Sequence, residues 1–218
     1  MSELDQVYAN RFGEAEYRAK LALWAEIVPA IGRIAPLDSP ILDLACDRGY
    51  FIANVTADER WASDIRDVSA DLPKDVRFVR ASGLALTGSL PVGSFATVFT
   101  SNYLEHLPSG EAVVEQLRVV RRLLRPGGRF IVLQPNVRYV GSAYWDFIDH
   151  HVALTERSLE EAGSIAGLIT ERMIPRYLPF TTKSRLPQHP RLVRAYLRFP
   201  LAWRLLGKQT LWVARAPG

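Results

Sequence analysis

The sequence predicts a doubly wound α/β fold with a mainly parallel sheet and an irregular, basic C-terminal extension. Three observations carry this. Short apolar runs recur at 41–44, 60–65, 76–80, 96–101 and 129–133, and stretches of helical spacing fall between them. The connections are short, as in one βα unit wound on another. Charge is divided along the chain. Residues 1–170 hold 17 basic and 22 acidic residues, a net of −5; residues 171–218 hold 10 basic and one acidic, a net of +9.

The elements follow in order. Tyr17, Leu21, Trp24, Ile27 and Ile31 recur at three- and four-residue steps and predict a helix over 14–34, stopped by Pro36 and Asp38-Ser39-Pro40. A strand at 41–44 leads through the turn Asp47-Arg48-Gly49 into a short helix at 50–55. Strands at 60–65, 76–80 and 96–101 come next. Val114, Leu117, Val120 and Leu124 mark one face of a helix over 111–124; Arg125-Pro126-Gly127-Gly128 ends it before a fifth strand at 129–133. Thr155 is the expected N-cap of a helix over 155–166. A strand over 170–175, a proline-rich loop over 176–190, a helical stretch at 192–206 broken by Pro200 and a last strand at 211–215 complete the chain. The expected division is a core over 1–170, with the first helix as a lid, and a basic segment over 171–218 that completes the sheet.

Composition excludes several classes. The chain has 218 residues, 48% hydrophobic and 23% charged, which is globular rather than disordered. A single cysteine, Cys46, excludes a disulfide framework and a cysteine-based zinc site, and no metal is expected. No apolar run reaches the roughly 18 residues of a bilayer span, and the start lacks the pattern of a signal peptide; a cytoplasmic location is expected. The pI of about 9.4 invites nucleic acid, but no nucleic-acid-binding motif accompanies it and none is expected as partner.

The chemistry centres on residues 41–55. Asp43 closes the first strand, and a tight turn follows. This is how a parallel sheet presents backbone N–H groups to a ligand at its C-terminal edge. About 20 residues on, Asp64 ends the next strand, where an acid accepts hydrogen bonds from ribose hydroxyls. Together they imply a nucleotide-like cofactor. The plainer readings are a turn cap for Asp43 and a solvated strand end for Asp64.

These residues resemble the class I S-adenosylmethionine (SAM)-dependent methyltransferases. The family pattern is acid-x-Gly-x-Gly-x-Gly; here it stands as Asp43-Leu44-Ala45-Cys46-Asp47-Arg48-Gly49, with Ala45 and Asp47 in place of two glycines. Aspartate tolerates positive φ better than most residues, so the turn can survive. Its charge would repel the methionine carboxylate or hold the ammonium. Ser82-Gly83-Leu84 after strand three, Ser101-Asn102-Tyr103-Leu104-Glu105-His106-Leu107 after strand four and Leu123-Leu124-Arg125-Pro126-Gly127-Gly128 before strand five match the family in order. The resemblance implies SAM as donor, with S-adenosylhomocysteine as product. It implies cofactor contacts from Asp43, Ala45, Cys46, Gly49, Asp64, Ile65, Ser82, Gly83, Leu84 and Ser101. Tyr8, Arg11 and Phe12 would supply an aromatic lid and a cation.

Finer motifs narrow the resemblance. Gln134-Pro135-Asn136-x-Arg138, Tyr144-Trp145-Asp146-Phe147-x-Asp149-His150 and Gly207-Lys208-Gln209 are similar to a bacterial subgroup met among surface-polysaccharide genes. This implies O-methylation of a sugar or lipid-linked saccharide, with Asn136, Arg138, Tyr144 and His151 against the acceptor. A histidine with an ordinary pKa near ~6.5 can take a hydroxyl proton, so His150, oriented by Asp149, is the expected base, and His106 is read as structural. The plain readings are a hydrogen-bonded loop for Asn136 and Arg138, and for His150 a loop-stabilising histidine or, with Asp149, a weak metal site. Arg191, Arg194 and Arg198 alternate with Leu192, Phe199, Leu201 and Leu205, so a membrane surface is one partner the basic segment would fit. Two rivals stand beside this reading. One is methylation of a soluble metabolite. The other, motivated by Asp47, is a non-catalytic binding module.

Overall fold

The computed structural model describes residues 14–180 and 189–218; the expectations for Tyr8, Arg11 and Phe12 lie outside them. Seven strands form one sheet: β1 (Ile41–Leu44), β2 (Arg60–Asp64), β3 (Val76–Arg80), β4 (Phe95–Ser101), β5 (Leu124–Pro135), β6 (Ile169–Leu178) and β7 (Gln209–Arg215). Their spatial order is β3-β2-β1-β4-β5-β7-β6. Strands β1 to β5 run parallel, while β7 is antiparallel to both β5 and β6. The doubly wound class is therefore observed, and the order reverses at β1 and β4. Ligands of such sheets bind outside the carboxyl ends of the strands at that reversal.

Burial explains the strand composition. All four residues of β1 are buried, as a central parallel strand covered on both faces requires. Side chains alternate between two apolar layers. On one face Leu42, Phe130, Val132 and Trp212 pack with the helices α2 (Gly110–Leu123) and α4 (Glu156–Ile165). On the other, Ile41, Phe99, Ile131 and Val213 pack with α1 (Glu14–Gly32). There Phe51 stacks on Phe99 with centroids 3.7 Å apart, and Trp24 sets its edge against both. A short turn of helix, α3, spans Val137–Val140.

Several boundaries differ from expectation. The helix foreseen at 50–55 shrinks to one turn, Ile52–Asn54. Strand β6 runs on to Leu178 through Pro175; it is an edge strand, where a missing N–H is tolerated. The stretch at 192–206 is two helices, α5 (Pro190–Leu197) and α6 (Pro200–Leu206), each opened by a proline in its first turn. Thr155 does cap α4: its Oγ1 accepts from Ser158 N (3.2 Å) while Ser158 Oγ accepts from Thr155 N (2.8 Å).

Gly163 in α4 shows packing overruling propensity. A Cβ there would stand 2.5 Å from the buried Trp212 ring. Alanine in place of glycine favours a helix by about 1 kcal/mol. Overpacking costs ~1–3 kcal/mol. We expect Gly163→Ala to lower the urea midpoint of unfolding, the reverse of what helix propensity alone gives.

Candidate functional site

The loop after β1 is built without most of its expected glycines. Ala45, Asp47 and Gly49 take positive φ of 55°, 50° and 72°. For the two non-glycine residues this costs about 1 kcal/mol each. What offsets it is a set of bonds to the end of β2. Cys46 N donates to Ser63 O (2.9 Å), Asp47 N donates to Asp64 Oδ2 (3.0 Å), and Gly49 N closes the turn on Cys46 O (2.8 Å). The charge on Asp47 is met by Arg66, whose Nη2 lies 2.7 Å from Asp47 Oδ1. The same guanidinium reaches Asp64 Oδ1 through Nε at 3.2 Å. Arg66 was not foreseen; its signal was a cation two residues past the strand-end acid.

Above this loop lies a cavity of about 750 Å³. At one end it is lined by Asp43, Ala45, Cys46, Asp47, Asp64, Ile65, Ser82, Gly83 and Ser101. Its roof is Lys20 and Trp24 of α1 with Leu192, Val193 and Tyr196 of α5. Its far end holds Glu105, His106, Phe147, His150 and Gln209. The volume lies within the range of small-molecule and cofactor sites. Asp43 is buried and accepts from Ile52 N (3.3 Å); burial pushes its carboxyl well above the usual range against that bond. Burial also raises the Cys46 thiol, so it is packing and not a nucleophile. Lys20 supplies a cation in the roof, its pKa lowered first by desolvation.

Two expected cofactor residues stand elsewhere. Gly49 is not in the cavity wall: it makes the turn, and a Cβ on it would lie 2.3 Å from Leu72 Cδ2. Leu84 is the second residue of a helical turn, Gly83–Gly88, and is exposed outside the wall.

The expected acceptor residues require more correction. Asn136 is buried and caps α3; its Nδ2 donates to Glu156 (2.7 Å) and Thr210 Oγ1 (2.9 Å), so it ties three elements together. Arg138 pairs with Glu156 at 3.4 Å. Tyr144 is buried and donates its hydroxyl to Val152 O (2.6 Å). His151 is exposed and anchors through its backbone N to Glu105 O (2.8 Å). None of the four lines the cavity. Their bonds go to neighbouring elements of the chain itself.

Asp149 is also reassigned. Its carboxylate Oδ2 stands 3.6 Å from His106 Nδ1, and its backbone O accepts from that same nitrogen at 2.8 Å. The carboxylate acting most strongly on His150 is that of Glu105, 4.0 Å away, while burial lowers the His150 pKa. Glu105 and His106, expected to be structural, both line the cavity, and Glu105 is wholly buried. Strand-end position was the available signal for both.

An acid at the end of the central strand, a tight turn and a second acid on the next strand define a nucleoside-cofactor site of the doubly wound type. Residues 39–132 match a family model described as a methyltransferase domain. Solved structures share the fold. A chain from the complex of the Haloferax volcanii Trm112 methyltransferase activator with a methyltransferase aligns at TM-score 0.66 and 17% identity, covering 94% of this chain and 96% of that one. A Bacillus halodurans methyltransferase aligns at 0.66 and 15%, covering 88% and 99%. A Mesorhizobium loti SAM-dependent methyltransferase aligns at 0.61 and 19%, covering 88% and 97%. No curated protein matches. The domain match and the fold together support a methyltransferase enzyme with SAM as its cofactor.

The Arg66 bridge gives a test. Arg66→Ala leaves Asp47 at positive φ with an uncompensated charge, and should cost about 2 kcal/mol in urea unfolding. Adding Asp47→Gly removes both the charge and the backbone strain. The double variant should therefore be more stable than Arg66→Ala alone.

Proposed function

We propose that the protein transfers the SAM methyl group to an oxygen of a sugar or lipid-linked saccharide, working at the cytoplasmic face of a membrane. The observation that carries this reading is one cavity with two unlike ends. One is the acid-flanked turn after β1; the other is the polar end at Glu105, His106 and His150, roofed by apolar side chains of α5.

At the first end, Asp64 would take the ribose hydroxyls and Ser82 and Gly83 the adenine edge, with Ile65 against the ring. Backbone groups of Ala45 and Cys46 would line the methionine part. Asp43 would sit beneath the turn, and Ser101 would close the wall. Among the described residues, Lys20 in the roof would face the methionine carboxylate. SAM supplies a sulfonium-bound methyl already reactive enough to need alignment above all. The remaining task of the chain is to hold the acceptor oxygen in line and deal with its proton, which falls to the end where His150 lies.

The lipid-linked part rests on α5 and α6. Leu192, Phe199, Leu201, Leu205 and Leu206 are exposed beside exposed Arg191, Arg198 and Arg204. Leu192 and Leu206 also line the cavity, so the apolar surface runs into the site. A basic, apolar face of this kind suits an anionic lipid surface. The Arg66 pair with Asp47 removes the repulsion that motivated a non-catalytic module.

Four measurements check the reading. Calorimetric titration should give SAM binding in the wild type and at least tenfold weaker binding for Asp64→Ala, since a charged acceptor of hydrogen bonds is lost. In a labelled-methyl screen, polyprenyl-linked saccharides should be methylated. Leu201→Glu/Leu205→Glu should weaken sedimentation with anionic phosphatidylglycerol vesicles and raise KM for the lipid-linked acceptor with kcat kept. Equal turnover of a soluble acceptor alone, untouched by that double variant, would transfer the assignment to a soluble metabolite.

A further inference from the structure

The polar end of the cavity contains a set of groups that the methyl donor does not need. Glu105 and His106 sit on one helical turn directly after β4, and His150 arrives from the segment after β5. One donor atom from each lies within 4.8 Å of the others. Glu105 Oε1 is 3.9 Å from His106 Nε2 and 4.0 Å from His150 Nε2. These separations are too long for hydrogen bonds. Ligands about 2.1 Å from one tetrahedral metal stand roughly 3.4 Å apart, so the two glutamate–histidine pairs need to close by about half an ångström, and the histidine pair by at most about 1.4 Å, to share one coordination sphere.

The surroundings prepare the atoms for that use. Glu105 is wholly buried, and its other oxygen, Oε2, takes a 2.7 Å bond from Gln134 Nε2. Its backbone O accepts from His151 N and Val152 N, at 2.8 and 3.1 Å. The residue is thus fixed from three sides, yet Oε1 is buried without a hydrogen-bond partner among the described residues. A carboxylate oxygen shut away in this manner is costly unless a cation or donor meets it. His106 is fixed in tautomer as well. Its Nδ1 lies 2.8 Å from Asp149 O, and a carbonyl only accepts, so Nδ1 carries the proton and Nε2 offers a lone pair. A backbone or carboxylate partner on the far nitrogen is the usual support of a metal-binding histidine. Here Asp149 supplies the carbonyl, with its carboxylate 3.6 Å from the same nitrogen.

The geometry points to a binding site for one divalent first-row transition metal, held by Glu105 Oε1, His106 Nε2 and His150 Nε2 with its open positions toward the cavity. Two histidines and one carboxylate form a set suited to such ions, and three protein ligands leave room for an exogenous oxygen. The inference deepens the O-methylation reading: the open positions would take acceptor hydroxyl oxygens, and the cation would make them easier to deprotonate. It revises the expectation that no metal is bound and gives Asp149 a positioning role on His106.

The test needs no acceptor, and the metal titrations are run without SAM. Tag-free, chelator-treated full-length protein is titrated with cobalt(II) and zinc(II), following visible absorption and heat. One equivalent should bind, with cobalt spectra typical of nitrogen ligation. Glu105→Gln and His106→Ala should each weaken binding by at least about tenfold, while His151→Ala, at an exposed site off the cavity, should not. Circular dichroism and SAM titration report whether each variant is folded; His106→Gln, at a partly exposed position, serves if Glu105→Gln is not. Absence of saturable binding in the wild type, or equal affinity in folded variants at positions 105 and 106, overturns the site. Either result leaves the SAM and methyl-transfer measurements unaffected, so the two readings fail separately.

Discussion

The bridge made by Arg66 is the interaction on which the site depends. A turn that passes a ligand close to backbone usually relies on glycine. This chain places alanine and aspartate at two of the three left-handed positions. It holds them there by bonding the turn to the next strand's end. Asp64 takes the Asp47 amide on one oxygen and Arg66 on the other, and Arg66 returns to the Asp47 side chain. The closed loop of charge makes the two strand ends one rigid unit. It also means that Asp64 already has hydrogen-bond partners on both oxygens, so a ribose must share that carboxylate with Arg66.

The opposite end of the cavity follows another logic. There a carboxylate and two imidazoles are held by backbone bonds and by Gln134, and they do not satisfy one another. A cavity with one self-neutralised end and one unsatisfied end is polarised in its chemistry.

Much of the architecture could be read from the sequence because strand and helix periods are local. The runs at 41–44 and 76–80, the N-cap Thr155 and the stop at Pro36 needed no knowledge of distant partners. Asp43, Asp64, Ser82 and Ser101 were legible for the same reason, since each ends or follows a strand. The acceptor end was not. Asn136, Arg138 and Tyr144 are polar residues in a loop, and sequence does not say whether such groups point to a ligand or to a neighbouring strand. Here Thr210, Glu156 and Val152 claim them. Asp149 sits next to His150 in the chain, yet its backbone O and carboxylate meet His106, 43 residues away. The burial of Glu105 could not be read from the sequence, because a buried carboxylate is visible only once its surroundings are.

The position of β7 has a consequence for how the molecule forms. Strand β6 joins the sheet through β7 and not through β5. During synthesis β6 emerges before the strand that will seat it. Until residues 209–215 follow, the edge of β5 and the whole of β6 expose unpaired backbone groups, a template for association with other chains. The last ordered stretch of this sequence thus acts as a keystone.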